Sequence, residues 1–324
     1  MDLEGKRILI TGGAGLIGSH IADLLVQEGA DIVAYDNLVR GKPHHLDWAG
    51  AHGRVELIVA DITDAKALRE AMEGADYCFH EAAAWLLACQ ENPQTSITVN
   101  IQGTFNVLQA CVEAGVKKIV AASSSSVYGD GSYFPTDESH PFNNDLFYGA
   151  SKIANEQYYR CFKKKYGLDY IAFRYLNIWG PRQPFLAAYT DVINHFFNRL
   201  DHNQRPQIHG DGTATLDLVY VEDCARANFL ALKSPVSGEV FNVSSGRETT
   251  LNELAQAILK VTGREDLEPE YVPRDSKLVV RRFGSAAKAK EKVGFEVEIS
   301  LEEGLRRVLA YREEEKTRAA KQGI

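Results

Sequence analysis

Tyr148 and Lys152 stand four positions apart in the stretch FYGASK, residues 147–152. If this stretch is helical, both side chains lie on one face, because residues i and i+4 are one turn apart. A tyrosine hydroxyl has an ordinary pKa of about 10, so it serves as a base at neutral pH only when a nearby cation stabilises its anion. The pair therefore indicates a proton-transfer site, although ordinary helix surfaces can carry the same spacing.

A run of four serines, Ser123 to Ser126, follows the apolar stretch KKIVAA. The apolar stretch is typical of a buried parallel strand, and open α/β sheets bind their ligands at the carboxyl ends of such strands. A serine hydroxyl at this point could assist the tyrosine. A simple polar turn would use the same residues.

The sequence TGGAGLIGSH, residues 11–20, follows a strand-like stretch and begins a helical pattern. Gly13, Gly15 and Gly18 fit the spacing G-x-G-x-x-G, and Gly12, Gly15 and Gly18 fit the wider spacing G-x-x-G-x-x-G. Glycines in such a turn allow main-chain N–H groups to approach a pyrophosphate. This segment predicts a dinucleotide site, and the alternative is a glycine-rich turn that binds nothing.

Two aspartates end the next two strand-like stretches, Asp36 in VAYD and Asp61 in VELIVAD. A carboxylate at the first position accepts hydrogen bonds from ribose hydroxyls and repels a 2′-phosphate, so we predict NAD rather than NADP. The proximity of Arg40 in the sequence leaves NADP open. We expect Asp61 to receive the adenine amino group, with a helix cap as the alternative role.

Short apolar stretches alternate with amphipathic ones through the first half of the chain, from KRILIT to KKIVAASS. This alternation predicts right-handed βαβ units and a parallel sheet with helices on both faces. We expect a dinucleotide-binding domain over residues 1–178. The pattern loosens afterwards, so residues 179–324 are expected to form mainly a substrate-binding domain, with a segment near residues 213–241 returning to the main sheet.

The composition argues against several other classes of protein. A chain of 324 residues with 45% hydrophobic content can bury a large core, and a net charge of −8 disfavours nucleic-acid binding. The five cysteines form no CxxC pair, so we interpret them as reduced, and no array of histidines and cysteines predicts a metal site. We expect a soluble, cytoplasmic protein without a membrane partner, because no apolar stretch of spanning length or signal peptide is found.

Taken together, the glycine turn, Asp36, the serines and the YxxxK pair resemble the extended short-chain dehydrogenase/reductase superfamily. Within it, the chain is similar to NAD-dependent nucleotide-sugar epimerases of the UDP-glucose 4-epimerase type. The resemblance covers nearly the whole chain through five further segments: HEAA at 80–83, VNIQGTFNVLQA around Asn100, RYLNIWGPRQ at 174–183, HGDG at 209–212 and DLVYVEDCA at 217–225. It implies an α/β fold, namely a Rossmann-type doubly wound parallel sheet with a smaller C-terminal α/β substrate domain.

The resemblance also implies roles for individual residues. Ser124 would be the catalytic hydroxyl, Tyr148 the acid and base, and Lys152 both a ligand of the nicotinamide ribose and the cation that lowers the tyrosine pKa. Bound NAD would contact Gly12, Gly15, Leu16, Ile17, Gly18, Asp36, Asn37, Asp61, Ile62, Ala82, Ala83, Asn100, Tyr148, Lys152 and Tyr175. A nucleotide-sugar substrate would contact Trp85, Ser124, Ser125, Tyr148, Asn177, Arg182 and Arg282, although Trp85 could equally be a core residue.

The reaction that this resemblance implies is inversion of carbon 4 of the sugar through a transient 4-keto form. Related dehydratases carry an acidic residue beside the catalytic hydroxyl, whereas this chain has Ser125 and Ser126. Dehydratase and decarboxylase chemistry are therefore less favoured. A reductase of a 4-keto sugar and a non-catalytic dinucleotide-binding regulator also stay open.

One position departs from the family pattern. Relatives carry an arginine that pairs with the substrate diphosphate where this chain has Leu216, in LDLVYV. An apolar side chain cannot neutralise phosphate, so we expect Arg282 first and Arg182 second to take this role, with Arg281 as a further candidate. Each of them could instead be a solvated surface charge.

Two further expectations rest on the resemblance. The segments FLAAYTDVI, residues 185–193, and PQIHGDG, residues 206–212, match the region where relatives hold the nucleotide base. The helices predicted from Ile101 to Ala114 and from Tyr148 to Tyr166 match the pair that relatives use for an intersubunit four-helix bundle. We therefore expect a homodimer.

Overall fold

The computed structural model describes residues 1–185, 191–273 and 281–322. Most of the short apolar stretches of the sequence form strands, as their length and content of β-branched residues predict. In chain order the strands are β1 (Arg7–Thr11), β2 (Asp31–Asp36), β3 (Val55–Val59), β4 (Tyr77–His80), β5 (Lys118–Ser124), β6 (Asp169–Tyr175), β7 (Asn177–Trp179), β8 (Gln207–His209), β9 (Thr215–Leu216), β10 (Leu218–Tyr220), β11 (Glu239–Val243), β12 (Thr249–Thr250) and β13 (Glu270–Val272).

The amphipathic stretches form helices that cover the sheet or pack beside it. They are α1 (Leu16–Gln27), α2 (Asp47–His52), α3 (Ala65–Met72), α4 (Leu86–Glu91), α5 (Thr104–Ala114), α6 (Phe147–Tyr166), α7 (Val192–Asp201), α8 (Val221–Lys233), α9 (Leu251–Val261), α10 (Ala287–Val293) and α11 (Leu301–Gln322). Short 3₁₀ turns span Pro43–Leu46 and Ser125–Tyr128. Among the described residues, no helix combines the length and the hydropathy needed to cross a membrane.

The central sheet has seven parallel strands in the order β11-β6-β5-β4-β1-β2-β3. The chain starts in the middle of the sheet at β1, builds outward to β3 and then crosses back to β4. The strand order therefore reverses between β1 and β4, and this is where doubly wound sheets form a crevice at their carboxyl ends. The predicted Rossmann-type α/β fold is confirmed.

Helices cover both faces of this sheet with separate apolar cores. On one face, α1 and α8 bury residues such as Ile21, Leu25 and Ala227 against the strands. On the other face, α3, α5 and α6 bury Leu68, Leu108 and other apolar side chains. Because both faces are covered, strands such as β5 are buried along their whole length and read as continuous apolar runs.

The chain returns to the main sheet after leaving it. β10 pairs with β7, α8 packs beside α1, and β11 pairs in parallel with β6 at the sheet edge, so residues 218–243 complete the sheet. A smaller body forms around α7, α9 and α11, whose apolar faces bury Phe196, Phe197 and Leu254.

One predicted helix differs in its form. The sequence predicts a helix from Ile101 to Ala114, whereas residues Ser96–Gly103 form a wider π-helix that leads directly into α5. This wider segment contains Asn100, whose side chain bonds both main-chain groups of Ala84. The helical segment thus begins five residues earlier than expected, at Ser96, and anchors the loop that follows β4.

Candidate active site

The structure brings Ser124, Tyr148 and Lys152 together at the carboxyl end of β5. Ser124 is the last residue of β5, and Tyr148 and Lys152 lie on the first turns of α6. Gly149 permits the contact between these elements, because a Cβ atom there would lie 2.7 Å from the carbonyl oxygen of Ser126. The helix can therefore approach the strand end closely enough to bring the phenol to the serine hydroxyl.

The serine run divides into side chains with different environments. The Oγ of Ser124 accepts a hydrogen bond from the Ser126 main chain at 3.1 Å and donates to the Ser126 hydroxyl at 3.0 Å. Ser123 donates to the buried carboxylate of Glu156 at 2.5 Å. Ser125 is half-buried, and its hydroxyl bonds no residue in the described ranges. Ser124 thus caps the 3₁₀ turn, while Ser125 keeps its hydroxyl uncommitted.

Lys152 is buried and held in one position. Its Nζ donates to the carbonyl of Ala122 at 2.8 Å and lies 5.7 Å from the centre of the Tyr148 ring. Burial lowers the pKa of Lys152 to about 8, while the charge of Glu81 opposes this shift. The amine therefore remains largely charged at neutral pH.

The pKa of Tyr148 in the protein alone is higher than expected for a tyrosine beside a lysine. Burial raises the pKa of Tyr148 to about 12, although hydrogen bonding by Ser124 lowers it. The protein alone thus keeps the phenol protonated at neutral pH. A tyrosinate at this position requires a further positive charge from a bound molecule.

A cavity of about 550 Å³ opens at the point where the strand order reverses. Most residues expected to bind the cofactor line it, and so do two of those expected to bind substrate. They are Gly12, Gly15, Leu16, Ile17, Gly18, Asp36, Asn37, Asp61, Ile62, Ala82 and Ala83, together with Trp85 and Arg182.

The glycine turn places the N-terminus of α1 on this cavity. Gly12 has a φ of +68°, and a Cβ atom there would lie 2.8 Å from the main-chain nitrogen of Ala82. No side chain caps the start of α1 at Gly15. The first N–H groups of the helix are therefore available to an anion in the cavity, as in dinucleotide-binding turns.

Asp36 is buried at the end of β2 with both carboxylate oxygens facing main-chain donors. One oxygen accepts from Ala14 at 3.0 Å and the other from Leu38 at 2.8 Å. Each oxygen can accept a second hydrogen bond, so the carboxylate can still bind ribose hydroxyls. Arg40 does not pair with Asp36, because its guanidinium stacks on Trp85 at 4.5 Å from the ring centre.

Asp61 and Asn37 form a polar pair on the neighbouring wall. Asn37 donates to Asp61 at 2.6 Å, and Thr63 donates to the same carboxylate through its main chain and its hydroxyl. Burial acts against ionisation, but these hydrogen bonds bring the pKa of Asp61 below its usual value. Asp64, not Asp61, caps α3, so the alternative role of Asp61 as that helix's cap does not hold.

Two residues expected to contact the cofactor lie behind the cavity wall. Asn100 is buried, and its amide bonds Ala84 and Ser151. Tyr175 is buried below the crevice, where its hydroxyl reaches Glu81 and Asn228. The side chains of Asn100 and Tyr175 therefore support the wall rather than form its surface.

Two further residues expected to bind substrate, Asn177 and Arg282, lie beside β9 and β10. Asn177 donates to the carbonyl of Asp217 at 3.0 Å, which holds β7 and β10 together. The main chain of Arg282 donates to Thr215 at 3.4 Å, so Arg282 lies directly beside Leu216. A cation thus stands next to the position where the family arginine is missing.

The three candidate arginines differ in their partners. Arg281 is exposed and forms two 2.6 Å contacts with Glu248. Arg182 forms a 2.6 Å ion pair with Asp23. Arg282 is largely enclosed and forms no ion pair within residues 1–185, 191–273 and 281–322; burial lowers its pKa, and Asp130 acts in the opposite direction.

Two residues on the cavity wall, Glu81 and Arg40, are not identified as site residues by the sequence motifs. Glu81 follows β4 within the HEAA segment, and Arg40 reaches Trp85 from the loop after β2. The position of Glu81 at the carboxyl end of a parallel strand is a signal that could have identified it. The stacking of Arg40 depends on packing between two loops, which no local pattern reveals.

Of the expected base-binding segments, residues 186–190 lie outside the described residues, while residues 206–212 form β8 and the turn that follows it.

A family model described as the NAD dependent epimerase/dehydratase family matches residues 8–244. The chain is 38% identical over 306 residues to a putative UDP-glucose 4-epimerase of Methanocaldococcus jannaschii, covering 93% of this chain and 97% of the relative.

The proteins similar to this chain include a decarboxylase as well as epimerases. The chain is 32% identical to a UDP-N-acetyl-alpha-D-glucosaminuronate decarboxylase of Bacillus cytotoxicus, over 94% of this chain and 97% of the relative. Its fold matches the crystal structure of a UDP-glucose 4-epimerase of Thermotoga maritima with UDP-glucose, at a TM-score of 0.88 and 35% identity, covering 96% and 99% of the two chains. More than one reaction thus occurs among proteins similar to this chain.

Proposed function

The chain belongs to the NAD dependent epimerase/dehydratase family, and from this premise we propose that it inverts carbon 4 of a nucleoside-diphosphate sugar. The sugar is a UDP-hexose or its N-acetylated or uronic acid form. It passes through a 4-keto form and leaves with the opposite configuration, so no net oxidation takes place. NAD held in the cavity by the glycine turn and Asp36 would supply reversible hydride transfer at carbon 4.

The residues around the cavity fit NAD in kind and position. The free N–H groups at the start of α1 suit the pyrophosphate, and the Asp36 carboxylate suits the adenosine ribose. Asp61 is available to the adenine amino group. The space above Gly12, where a side chain would strike Ala82, suits close approach of the main chain to phosphate oxygens.

The observation that carries the proposal is the grouping of Ser124, Tyr148 and Lys152 at one strand end. Tyr148 takes the proton of the carbon 4 hydroxyl and later returns a proton to the same oxygen. Ser124 donates a hydrogen bond to that oxygen as its charge develops. Lys152 is fixed by Ala122 and supplies positive charge next to the phenol, and the charge of oxidised nicotinamide adds to it.

The two residues after Ser124 favour inversion over elimination. Ser125 and Ser126 occupy the positions where dehydratases similar to this family carry an acidic residue. An uncharged hydroxyl is a poor general acid for expelling a leaving group. Ser125, with its uncommitted hydroxyl, instead donates to the sugar.

The diphosphate of the substrate binds at Arg282, beside Leu216. Two negative charges need charge-assisted donors when they leave water. Arg282 lies beside Leu216 and has a guanidinium without an ion-pair partner in the part of the chain that the structure describes. Asn177 and Arg182 contribute additional hydrogen bonds, and Trp85 forms a wall of the sugar pocket.

The experiment that tests the function is incubation of the purified protein with UDP-, GDP-, CDP- and dTDP-sugars, followed by NMR detection of 4-epimers. We expect epimer formation without added cofactor, because an epimerase keeps its NAD through turnover. A 4-keto reductase would instead require NADH and would release NAD⁺. Conversion that depends stoichiometrically on added NADH, with no 4-epimer formed, rejects the proposal.

The protein acts as a homodimer. Exposed apolar side chains on the π-helix and α6 are Ile97, Phe147, Tyr158 and Tyr166. Tyr158 also meets Phe105 of α5 edge to face, with ring centres 5.8 Å apart. An exposed apolar face of this kind suits burial against a second copy. Light scattering at micromolar concentration is expected to give twice the chain mass, and Tyr158→Glu is expected to shift it toward the monomer. A monomeric wild-type protein rules out this assembly.

A further inference from the structure

Glu81 is a carboxylate in the cavity wall that the proposed chemistry does not use. It follows β4 directly, and its main chain bonds Thr11 at 3.0 Å across the point where the strand order reverses. Glu81 lines the same cavity as Gly12 and Asp36. A charge on its carboxylate therefore lies close to the cavity and acts on a molecule bound there.

The side chain of Glu81 is held by the hydroxyl of Tyr175, the last residue of β6. The Tyr175 hydroxyl lies 3.2 Å from each carboxylate oxygen. Asn228 of α8 donates to the same hydroxyl at 2.8 Å, which leaves the phenol proton available to the carboxylate. Glu81 is therefore positioned by a built network and is not a mobile surface group.

Lys152 is the cation that faces Glu81 at this edge of the sheet. Its Nζ is bonded to Ala122, and Ala122 lies one residue past the point where β5 pairs with His80 of β4. Each residue shifts the pKa of the other toward the charged form. The remaining titratable groups around Glu81 are Tyr148 and Tyr159 of α6, Tyr175 of β6, Cys78 of β4 and Cys224 of α8.

Around neutral pH, Glu81 is the group among these that changes its charge. Burial raises the pKa of Glu81 to about 7, against the lowering effects of Lys152 and Tyr175. Burial raises the pKa of each of the tyrosines and cysteines, so these groups stay neutral. Lys152 loses its charge only at higher pH, with a pKa of about 8.

We infer that Glu81 sets the preference of the cavity between oxidised and reduced NAD, through a negative charge that favours the oxidised form. NAD⁺ carries one more positive charge than NADH, so a carboxylate in the wall stabilises NAD⁺ relative to NADH. The charge of Glu81 also offsets that of Lys152, which acts in the opposite direction. This inference uses NAD binding and does not depend on which sugar reacts.

The test measures the dissociation constants of NAD⁺ and NADH for cofactor-free protein by calorimetry, at several values from about pH 6 to pH 8. In the wild type, we expect the ratio of the NADH constant to the NAD⁺ constant to rise with pH by about 10-fold, as Glu81 ionises. In Glu81→Gln, which keeps the size but removes the charge, only the smaller rise caused by Lys152 is expected. Because no sugar is present, this result is separate from any failure of the epimerase assignment.

Two further variants make the measurement decisive. Glu239→Gln removes a carboxylate at the amino end of β11, on the opposite edge of the sheet, and is expected to reproduce the wild-type profile. Tyr175→Phe removes the hydrogen bond that lowers the Glu81 pKa, so the midpoint of the profile is expected to move to higher pH. A flat wild-type ratio, a wild-type rise retained in Glu81→Gln, or a midpoint unchanged in Tyr175→Phe overturns the inference.

Discussion

Arg174 is buried and Arg282 is largely enclosed, and the surroundings of the two guanidinium groups differ sharply. Arg174 donates two hydrogen bonds to Glu156, at 2.9 and 2.8 Å, and one to the Tyr128 hydroxyl at 3.0 Å. Burial acts to lower the pKa of Arg174, but Glu156 raises it above its usual value. For Arg282, burial lowers the pKa, and the charge of Asp130 opposes this shift without overcoming it.

The difference separates a structural charge from one that we propose binds the substrate diphosphate. A buried cation with a matched carboxylate holds its elements together, because loss of either partner leaves an unpaired charge. Through Glu156 and Ser123, Arg174 joins β6, α6 and the end of β5. A buried cation without such a partner costs stability, and this cost is offset when an anion binds.

The largest effect is expected from Glu156→Gln, which removes the carboxylate partner of Arg174. Breaking a buried ion pair from one side costs about 3–5 kcal/mol in the free energy of unfolding. Urea denaturation measures this loss. Glu248→Gln, which removes the partner of the exposed Arg281, is the matched control and is expected to change stability little. Equal stabilities of the two variants contradict the structural role assigned to Arg174.

Tyr148→Phe is expected to affect chemistry without affecting the fold. The variant keeps the ring but loses the hydroxyl that exchanges a proton with the sugar, so turnover should fall by about 10²-fold or more. NAD content and the urea midpoint should stay at the wild-type values. Tyr133→Phe removes an exposed hydroxyl that bonds Asp137 and serves as the control. Near wild-type turnover of Tyr148→Phe on the true substrate assigns the proton transfer to another group.

Arg282→Ala tests whether Arg282, which forms no ion pair with the residues that the structure describes, binds the diphosphate. We expect the KM for the true substrate to rise by about 30-fold, equivalent to about 2 kcal/mol for a charge-assisted hydrogen bond, with unchanged NAD content. Arg281→Ala is the matched control on the adjacent residue and should leave KM unchanged. Arg182→Ala should have a smaller effect than Arg282→Ala, because Asp23 already occupies part of its guanidinium. If neither Arg282→Ala nor Arg182→Ala alters KM, the diphosphate binds elsewhere.

The smallest effect is expected at the cofactor end, where the main chain does most of the binding. Asp36→Ser should weaken NAD binding by about 1 kcal/mol and relax discrimination against NADP, because the carboxylate no longer repels a 2′-phosphate. Calorimetry on the cofactor-free protein measures both constants. Asp31→Ser, at the start of the same strand, is the control. Wild-type protein that binds NAD and NADP equally well contradicts the assignment of Asp36.

The sequence locates the glycine turn and Asp36 more readily than the residues that support the cavity wall, for a physical reason. The glycine turn and Asp36 act through local geometry at the ends of β1 and β2, so their positions follow from spacing along the chain. The catalytic pair likewise needs only one helix. The roles of Glu81 and Asn100 depend on contacts with β6, α8 and α6, which are distant in sequence and leave no periodic signal.

At the substrate end, the structure distinguishes the three predicted arginines by their partners. Three arginines are candidates by residue type, and their partners distinguish them. Glu248 and Asp23 are far from Arg281 and Arg182 in the sequence, so the ion pairs that occupy these two arginines become visible only in the folded chain. The expected drop in the Tyr148 pKa is similarly incomplete, because burial outweighs the effect of the neighbouring groups in the protein alone.

The return of the chain to the sheet edge has a consequence for folding. β11 and α8 belong to the second half of the sequence, yet α8 covers α1 and β11 pairs with β6. A fragment ending near residue 178 would leave Ile21 and Leu25 without part of their cover, so it should populate a loosely packed state. The sheet with its helices and the smaller body around α7, α9 and α11 should therefore unfold in one cooperative transition. A functional chimaera with a relative needs at least two crossover points, one on each side of residues 218–243.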